Sequence, residues 1–431
     1  LFRSDNKGKS WKSISSNLPN RGSVYSIAED HIDPNLLFAG TEFGLFFSLD
    51  GGAYWKQIKA GLPTIAVRDL AIQERENDLV LGTFGRGFYV LDDYSALRNI
   101  NQRNMQQEAE IFPIKDGLMF IETSRIGGND KGFQGEGFFT TPNPTVGVTF
   151  TYYLKESIKT LENKRKSKEA QLRKAGKDVS YPTFEDFRNE KEEKKPHLIF
   201  TISDKSGNII RRLSKPAISG VNQVTWDYKM FSAGPINNSD AKKGFPSSGA
   251  YTAPGEYIVT MSKVINGAST DIAGPVSFRT KTLNDVTLPA ENRRELGDFQ
   301  EKIGRLQSAI RTMNGRLNNS SKELQDMRAA AQGIKTDNSK ILMGIDLAEQ
   351  KIAKIQRKLN GERLAYRLDI DLPPSISDRV NRAAYGVLSS SSAPTNTQRD
   401  AYKIATSDFQ PLEKELNSFI DNDMKRVKDM L

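Results

Sequence analysis

The sequence predicts a multidomain protein in three parts: a partial β-propeller, a β-sandwich and a C-terminal antiparallel α-helical bundle. Three observations predict this order. The first part repeats with a period of about 44 residues, the middle part alternates apolar and polar residues in short runs, and the last part carries apolar residues at steps of three and four. A chain of 431 residues is long enough for two to four domains.

Composition excludes several kinds of site. The chain has no cysteine and two histidines, His31 and His197. This argues against a disulfide scaffold, a thiolate zinc site, a cysteine nucleophile and a Ser-His-Asp triad, and we expect neither a metal nor a cofactor. The net charge of +9 is spread over a long chain, so we expect no nucleic-acid partner. No run of about 18 apolar residues is present, so no transmembrane segment is predicted.

A repeat organises the N-terminal part. The segment LFRSDNKGKSWKSISSNLP at 1–19 returns as LFFSLDGGAYWKQIKAGLP at 45–63, and FAGTEFGLFFSLD at 38–50 returns as VLGTFGRGFYVLD at 80–92. Four strands in about 40–45 residues is the size of a propeller blade. The complete unit is predicted to form strands at 23–29, 36–42, 44–50 and 54–59.

The number of units predicts blades beyond this chain. We count half a blade, one complete blade and a last unit of three strands, whereas a propeller needs about four blades or more. We therefore expect further blades upstream in the same protein, and a chain that begins at Leu1 inside a repeat. The range 1–95 is predicted to hold the last blades of a propeller truncated at its N-terminus.

The turn between the third and fourth strands carries a motif. SLDGGAYW at 48–55 fits Ser/Thr-x-Asp-x-Gly-x-x-Trp at each fixed position, and SDNKGKSW at 4–11 fits with Asn in the Asp place. The motif resembles the Asp-box, or bacterial neuraminidase repeat, of sialidases and sortilin-type propellers. We expect it to build the turn and not to catalyse, because Ser and Asp accept backbone N–H bonds there and Gly allows a positive φ. The residues given this structural role are Ser4, Asn6, Gly8, Trp11, Ser48, Asp50, Gly52 and Trp55.

No catalytic residue can be assigned. A sialidase needs an arginine triad, a Tyr–Glu pair and an acid Asp, and SRIGG at 124–128 does not match that family's Phe-Arg-Ile-Pro motif. We therefore predict that this chain alone has no glycosidase activity. Arg86, among glycines beside a strand, could face a ligand, but we favour a solvated or salt-bridged loop arginine. Asp92 and Asp93 either pair or cap a short helix near Tyr94, and we favour the cap.

The middle of the chain is predicted to be an immunoglobulin-like β-sandwich at 146–285, after a linker and the first strands at 96–145. The segments IFTISDKSGNIIRRL, GVNQVTWDY and YTAPGEYIVTM resemble the immunoglobulin-like domain of the flagellar hook-cap protein. We expect Trp226 in the core of this sandwich. The charged insertion at 155–195 is predicted to form a solvated helical hairpin that covers the sandwich; a basic patch for nucleic acid or an anionic lipid head is the alternative.

The range 286–431 is predicted to be the helical bundle. Two apolar stripes separated by GIKTDN at 333–338 predict an antiparallel hairpin whose first helix is about 60 Å long. A third stripe, from Tyr402 to Val427, predicts a last helix that begins near 396. We expect these stripes to form a core and not a dimer seam.

The whole order resembles one family. Asp-box repeats that end in GTFGRGFYVLDD, a hook-cap-like sandwich and a helical tail resemble the C-terminal part of large secreted bacterial proteins of the sortilin-like, neuraminidase-repeat glycosyl hydrolase type. The resemblance implies a protein outside the cell or on the cell surface of a bacterium, with the periplasm as the alternative. Its propeller would bind a glycan or peptide ligand, and cell-surface proteins would be partners.

Two alternative functions stay open. The first is a glycoside hydrolase whose active site lies in the missing blades, and the second is a structural subunit of a surface assembly. The chain departs from sortilin, whose propeller is followed by a cysteine-rich module, because it has no cysteine.

Overall fold

The structure is a computed structural model that describes residues 1–59, 61–120, 141–231, 248–283, 291–335, 337–388 and 392–431. Sheets occupy the first two thirds of the chain and long helices the last third, which confirms the mixed multidomain architecture in this coarse form. The SRIGG segment at 124–128 lies outside the described residues.

The N-terminal part forms three small antiparallel sheets. The first pairs β1 (Phe2–Arg3) with β2 (Lys12–Ser13). The second has the order β3-β4-β5-β6, and the third β7-β8-β9. Their strands are β3 (Val24–Glu29), β4 (Leu37–Thr41), β5 (Gly44–Ser48), β6 (Lys56–Ile58), β7 (Val67–Gln73), β8 (Asp78–Thr83) and β9 (Phe88–Leu91). The four strands expected at 23–59 are all present and pair in chain order. Within the described residues these sheets do not close into a ring.

The β7–β9 sheet packs on one face of the β3–β6 sheet. Leu36, Phe38 and Leu45 meet Val67, Leu79 and Leu81 in one buried cluster. The opposite face of the β3–β6 sheet packs on the segment that follows β2, with Ile14, Leu18, Leu37, Ala39, Phe46 and Trp55 in a second cluster. Every residue of β4 is buried, because successive side chains point to opposite faces and both faces are covered.

A buried carboxylate ties the second sheet to the end of the third. After β9 the chain forms a 3-10 helix (Tyr94–Asn99) and α1 (Gln102–Gln106). Asp30, in the turn after β3, accepts bonds from the Tyr94 hydroxyl at 2.7 Å and from two Arg98 nitrogens at 2.7 Å each. Burial alone would raise the pKa of Asp30, but the Arg98 bonds and charge, with the Asp33 N–H and the Tyr94 hydroxyl, hold it well below its usual range.

Two further sheets share a core in the middle of the chain. One has the order β10-β12-β15, and the other β11-β19-β18-β13-β14, in which β11 and β19 pair in parallel. Trp226 is fully buried between them, with its ring centroid 5.1 Å from that of Tyr257. The strands are β10 (Ala109–Ile111), β11 (Gly117–Met119), β12 (Val148–Leu154), β13 (His197–Asp204), β14 (Ile209–Pro216), β15 (Gly220–Trp226), β18 (Gly255–Ile265) and β19 (Ala268–Thr282). A short pair, β16 (Lys229–Phe231) and β17 (Ser248–Tyr251), lies beside them.

The charged insertion forms two solvated helices. It forms α2 (Leu161–Lys174) and α3 (Phe184–Glu192), and neither helix has a buried side chain. Arg165 of α2 bonds to Glu190 of α3 at 2.6 Å, so the two helices contact each other by charge. They do not cover the sheets with an apolar face, because α2 is too polar to have one; only Ile158, before α2, packs against the core of the two sheets.

The C-terminal helices pack around two apolar clusters, a large one and a smaller one at the start of the first helix. Lys351 binds Asp423 and Lys358 binds Glu415, both at 2.7 Å, so the contacts advance in opposite chain directions and these two helices lie antiparallel. Arg328 binds Glu349 at 2.9 Å and Asn314 binds Asn360 at 3.3 Å, which shows the same for the first two helices. The first helix has 40 residues and is therefore about 60 Å long. None of the described helices is both long enough and apolar enough to cross a membrane. The helices are α4 (Arg293–Gln332), α5 (Ser339–Asn360), α6 (Arg363–Arg367), α7 (Ile376–Ala384), α8 (Asn396–Ser418), a π-helical segment (Phe419–Met424) and α9 (Lys425–Lys428).

Candidate functional site

The two motif turns have the same hydrogen bonds. In the second copy the Ser48 hydroxyl accepts from the Gly52 N–H at 2.8 Å, and Asp50 Oδ1 accepts from the Tyr54 N–H at 2.9 Å. In the first copy the hydroxyl of Ser4 accepts from the Gly8 N–H at 2.7 Å, and Asn6 Oδ1 accepts from the Ser10 N–H at 2.9 Å. Gly8 and Gly52 have φ of 83° and 91°, which favours glycine. The polar groups of each motif are therefore used inside its own turn.

The two motif tryptophans lie in different environments. Trp55 is 2% exposed, and its indole N–H donates to the Ile14 carbonyl at 2.6 Å. Trp11 is 65% exposed. The motif is the same in both copies, but the β3–β6 sheet and the segment after β2 enclose only the second tryptophan.

The β3–β6 and β7–β9 sheets present equivalent turns at one end. We call this region the turn end: the β4–β5 turn (42–43), the β8–β9 turn (84–87), and the first residues of β3 and β7. The Thr41 hydroxyl donates to the Gly44 carbonyl at 3.0 Å, and the Thr83 hydroxyl donates to the Gly87 carbonyl at 2.7 Å. The repeat therefore places two related turns of different length at the same end of the two sheets.

Each copy also carries a β-bulge at the turn end. The register shifts between Val24 and Ser26 in β3 and between Val67 and Asp69 in β7. Tyr25 and Arg68 are thus the extra residues of two equivalent bulges. A bulge redirects a side chain away from the regular pleat, and bulges are frequent beside functional sites.

The bulges bring Arg68 between two aromatic rings. The central carbon of its guanidinium lies 4.0 Å from the centroid of the Tyr25 ring and 5.1 Å from that of Phe84. These distances are within the range of a cation–π interaction. Phe84 is 67% exposed, so part of its ring is open to a ligand.

Arg86 lies at the same end as Arg68. It occupies the β8–β9 turn between Gly85 and Gly87, whose φ values are 81° and 70°, and its side chain is exposed. Neither Arg68 nor Arg86 forms an ion pair with any carboxylate of the described residues. The turn end therefore combines two unpaired cations with an exposed aromatic ring.

The sequence singled out Arg86 but missed Arg68. The repeat aligns Arg68 with Tyr25, and this alignment could have been seen in the sequence. The one-residue bulge that brings the two side chains together has no sequence signature. Their proximity depends on how the two sheets stack.

The opposite end of the sheets is acidic and carries a cavity of about 750 Å³. Asp92 lines it, and burial and the neighbouring charge of Asp78 raise the pKa of Asp92. Asp93 accepts a bond from the Ser95 N–H and caps the 3-10 helix, as the sequence favours. In the part of the chain that the structure describes, no group of three or more acidic or histidine side chains is arranged to hold a metal ion.

Comparisons with known proteins give no family. No family model matches the chain, and no curated protein matches it. Among solved structures, the extracellular domain of BT4673 from B. thetaiotaomicron, a one-component system, matches with 14% identity over 65% of this chain and 28% of that chain, at a TM-score of 0.18. A second structure of that domain, named as a hybrid two-component system, gives a TM-score of 0.19, 14% identity and the same coverage.

A third solved structure is PorZ, a surface component of the type-IX secretion system of Porphyromonas gingivalis. It matches with 16% identity over 60% of this chain and 30% of that chain, at a TM-score of 0.16. The chain thus spans less than a third of the length of these proteins. At such scores, neither their fold nor their function transfers to this chain.

Proposed function

We propose that this chain is part of a secreted or cell-surface binding protein of a bacterium, and that its turn end binds a glycan or peptide ligand. One observation carries the proposal: Arg68 is held between Tyr25 and Phe84 by two equivalent bulges and has no acidic partner among the described residues. Ion pairing within the described part of the chain does not use this cation, so its N–H groups are available to a ligand.

The remaining parts are proposed as scaffold. We assign 1–95 to blades of a β-propeller, with the Asp-box residues shaping its turns. The range 96–145 is assigned to a linker and the first strands of an immunoglobulin-like sandwich, 146–285 to that sandwich, and 286–431 to a helical bundle. The stacked sheets and the two buried clusters that cover the two faces of the β3–β6 sheet support the first assignment. Cell-surface proteins are proposed as partners of the scaffold.

Further blades of the same protein are proposed to cover the outer face of the β7–β9 sheet. Phe88 pairs with Gly82 in the way that Leu45 pairs with Gly40 one repeat earlier. Leu45 is 1% exposed because the next sheet covers it, whereas Phe88 is 81% exposed. The repeat therefore predicts that a sheet of the same kind packs on Phe88.

The Phe88→Ala variant tests this packing. In the present chain the substitution should change the free energy of unfolding by less than about 0.5 kcal/mol, because the ring is exposed. In a longer protein that contains the further blades, it should cost about 3–5 kcal/mol. Equal and small costs in both proteins, measured by urea denaturation, would contradict the proposed neighbour.

Ligand binding at the turn end is tested with glycan and peptide arrays. The wild-type chain is expected to bind at least one class of ligand, and Phe84→Ala should weaken that binding at least tenfold. Arg75→Ala, an exposed arginine in the turn between β7 and β8 at the opposite end, is the matched control and should bind as the wild type does. An absence of binding on both arrays, or binding unaffected by Phe84→Ala, would overturn the proposal.

The hydrolase alternative places its active site in blades outside this chain, so it too leaves the present chain inactive. No acid and nucleophile pair can be assigned in the described residues, so the purified chain should not turn over aryl glycosides. The measurement is release of nitrophenol from a panel of nitrophenyl glycosides. Turnover that a single carboxylate-to-amide substitution abolishes would favour the hydrolase and count against a purely binding role.

A further inference from the structure

We propose that the ligand of the turn end is a carboxylated glycan whose carboxylate is bound by the guanidinium of Arg68. The inference rests on the proposed binding function and narrows it to one chemical class. It starts from the contrast between Arg68 and the buried or networked arginines. Arg98, Arg165 and Arg328 each bind carboxylates of this chain.

No acceptor among the described residues takes a hydrogen bond from the guanidinium of Arg68. A guanidinium is planar, so aromatic rings engage its faces while its N–H donors point outward in the plane. Tyr25 and Phe84 supply the aromatic contacts at 4.0 and 5.1 Å. They also restrict the side chain in advance of binding, which reduces the conformational entropy lost on association.

The acidic residues of the turn end do not neutralise the hydrogen-bonding edge of Arg68. Asp69 follows Arg68, but its carboxylate accepts the Leu70 N–H at 2.9 Å. Glu42 lies in the β4–β5 turn beside Gly22. Neither forms an ion pair with Arg68. A planar acceptor with two oxygens fits such a fork best, and a carboxylate is that acceptor.

The neighbouring ring favours a sugar as the carrier of the carboxylate. The exposed part of Phe84 can pack on the apolar C–H face of a pyranose ring, while a carboxylate on the same ring reaches the adjacent guanidinium. Arg86 in the same turn adds a second positive charge for further acidic sugar units. An acidic peptide is the other ligand that such a cation could bind, and the test separates the two.

The test measures binding of three acidic oligosaccharides by calorimetry: oligogalacturonate, a hyaluronan tetrasaccharide and 3′-sialyllactose. The wild type is expected to bind at least one of them. The methyl ester of that sugar, which keeps the ring and removes the charge, should bind at least tenfold more weakly. Arg68→Ala should bind the acidic sugar at least tenfold more weakly than the wild type. Arg68→Lys keeps the charge but lacks the forked pair of N–H donors, so its affinity should lie between those of the wild type and Arg68→Ala. Arg75→Ala should match the wild type.

The outcomes separate this inference from the proposed function. Equal binding of acid and methyl ester, or unchanged binding by Arg68→Ala, overturns the carboxylate assignment while glycan binding stands. Binding of none of the three sugars together with binding of peptides that end in a free carboxylate overturns the glycan assignment. An absence of any glycan or peptide ligand overturns the proposed function itself. A melting temperature equal to that of the wild type shows that each variant is folded.

Discussion

Trp55→Ala is expected to lower the free energy of unfolding of the N-terminal sheets by about 3–5 kcal/mol, the usual cost of truncating a buried tryptophan. Trp55 fills the space between the β3–β6 sheet and the segment after β2, beside Ile14 and Phe46. Its backbone N–H donates to the Asn17 side chain at 2.8 Å, and its indole N–H donates to the Ile14 carbonyl. The substitution leaves a cavity and an unpaired buried carbonyl together.

Trp11→Ala is the matched control for this prediction. Trp11 holds the same position in the same motif, yet its side chain is mostly exposed, so its truncation should cost less than about 0.5 kcal/mol. Because a chain of several domains does not unfold in one step, the effect is best followed by amide hydrogen exchange in β4 and β5. Equal losses for Trp11→Ala and Trp55→Ala would contradict the difference in burial.

Arg98→Ala is expected to cost about 3–5 kcal/mol, because it leaves the buried carboxylate of Asp30 without its cation. That carboxylate now accepts two bonds from the guanidinium, one from the Tyr94 hydroxyl and two from backbone N–H groups, and the substitution removes the first two. Arg75→Ala is the control: its ion pair with Glu76 is at the surface and should contribute less than about 1 kcal/mol.

The effect of Arg98→Ala should depend on pH. In the wild type the pKa of Asp30 lies below its unfolded value of about 3.9. The stabilisation is therefore complete above that value and is lost as the pH falls further. In the variant, burial without the cation raises the pKa of Asp30. Protonation of Asp30 at low pH then removes the free-energy cost of a buried charge that has no cation beside it. The stability difference between the two proteins should narrow from pH 7 to pH 3. A constant difference, measured by urea denaturation across that range, would contradict the role of the ion pair.

The sequence predicted the strands of the repeat well because each one follows a local rule. Alternating apolar residues and a terminating Gly or Asp define β3 to β6 without reference to the rest of the fold. The apolar stripes of the C-terminal helices were predicted equally well, since Ile345, Ile352 and Leu359 are all buried at the positions that the helical period gives.

The features that the sequence did not predict depend on contacts between residues that are distant in sequence. Trp11 and Trp55 share one motif, and only the packing of the segment after β2 on the β3–β6 sheet makes Trp55 a core residue. The helices of the charged insertion were predicted, but their docking was not: α2 lacks an apolar face, and Arg165 binds α3 instead. At the candidate site, Arg86 stands out among glycines, whereas the approach of Arg68 to Tyr25 requires two bulges and the stacking of two sheets.

Amide hydrogen exchange with and without an acidic oligosaccharide tests the ligand site at the turn end most directly. The probe is whichever of oligogalacturonate, hyaluronan tetrasaccharide or 3′-sialyllactose binds most tightly, at a saturating concentration. Slower exchange is expected at 23–26, 66–69 and 83–87, with no change in the Asp-box turns at 4–11 and 48–55 or in the C-terminal helices. Protection confined to the Asp-box turns or to the helices, or no protection anywhere, would contradict a ligand site built by the bulges of β3 and β7.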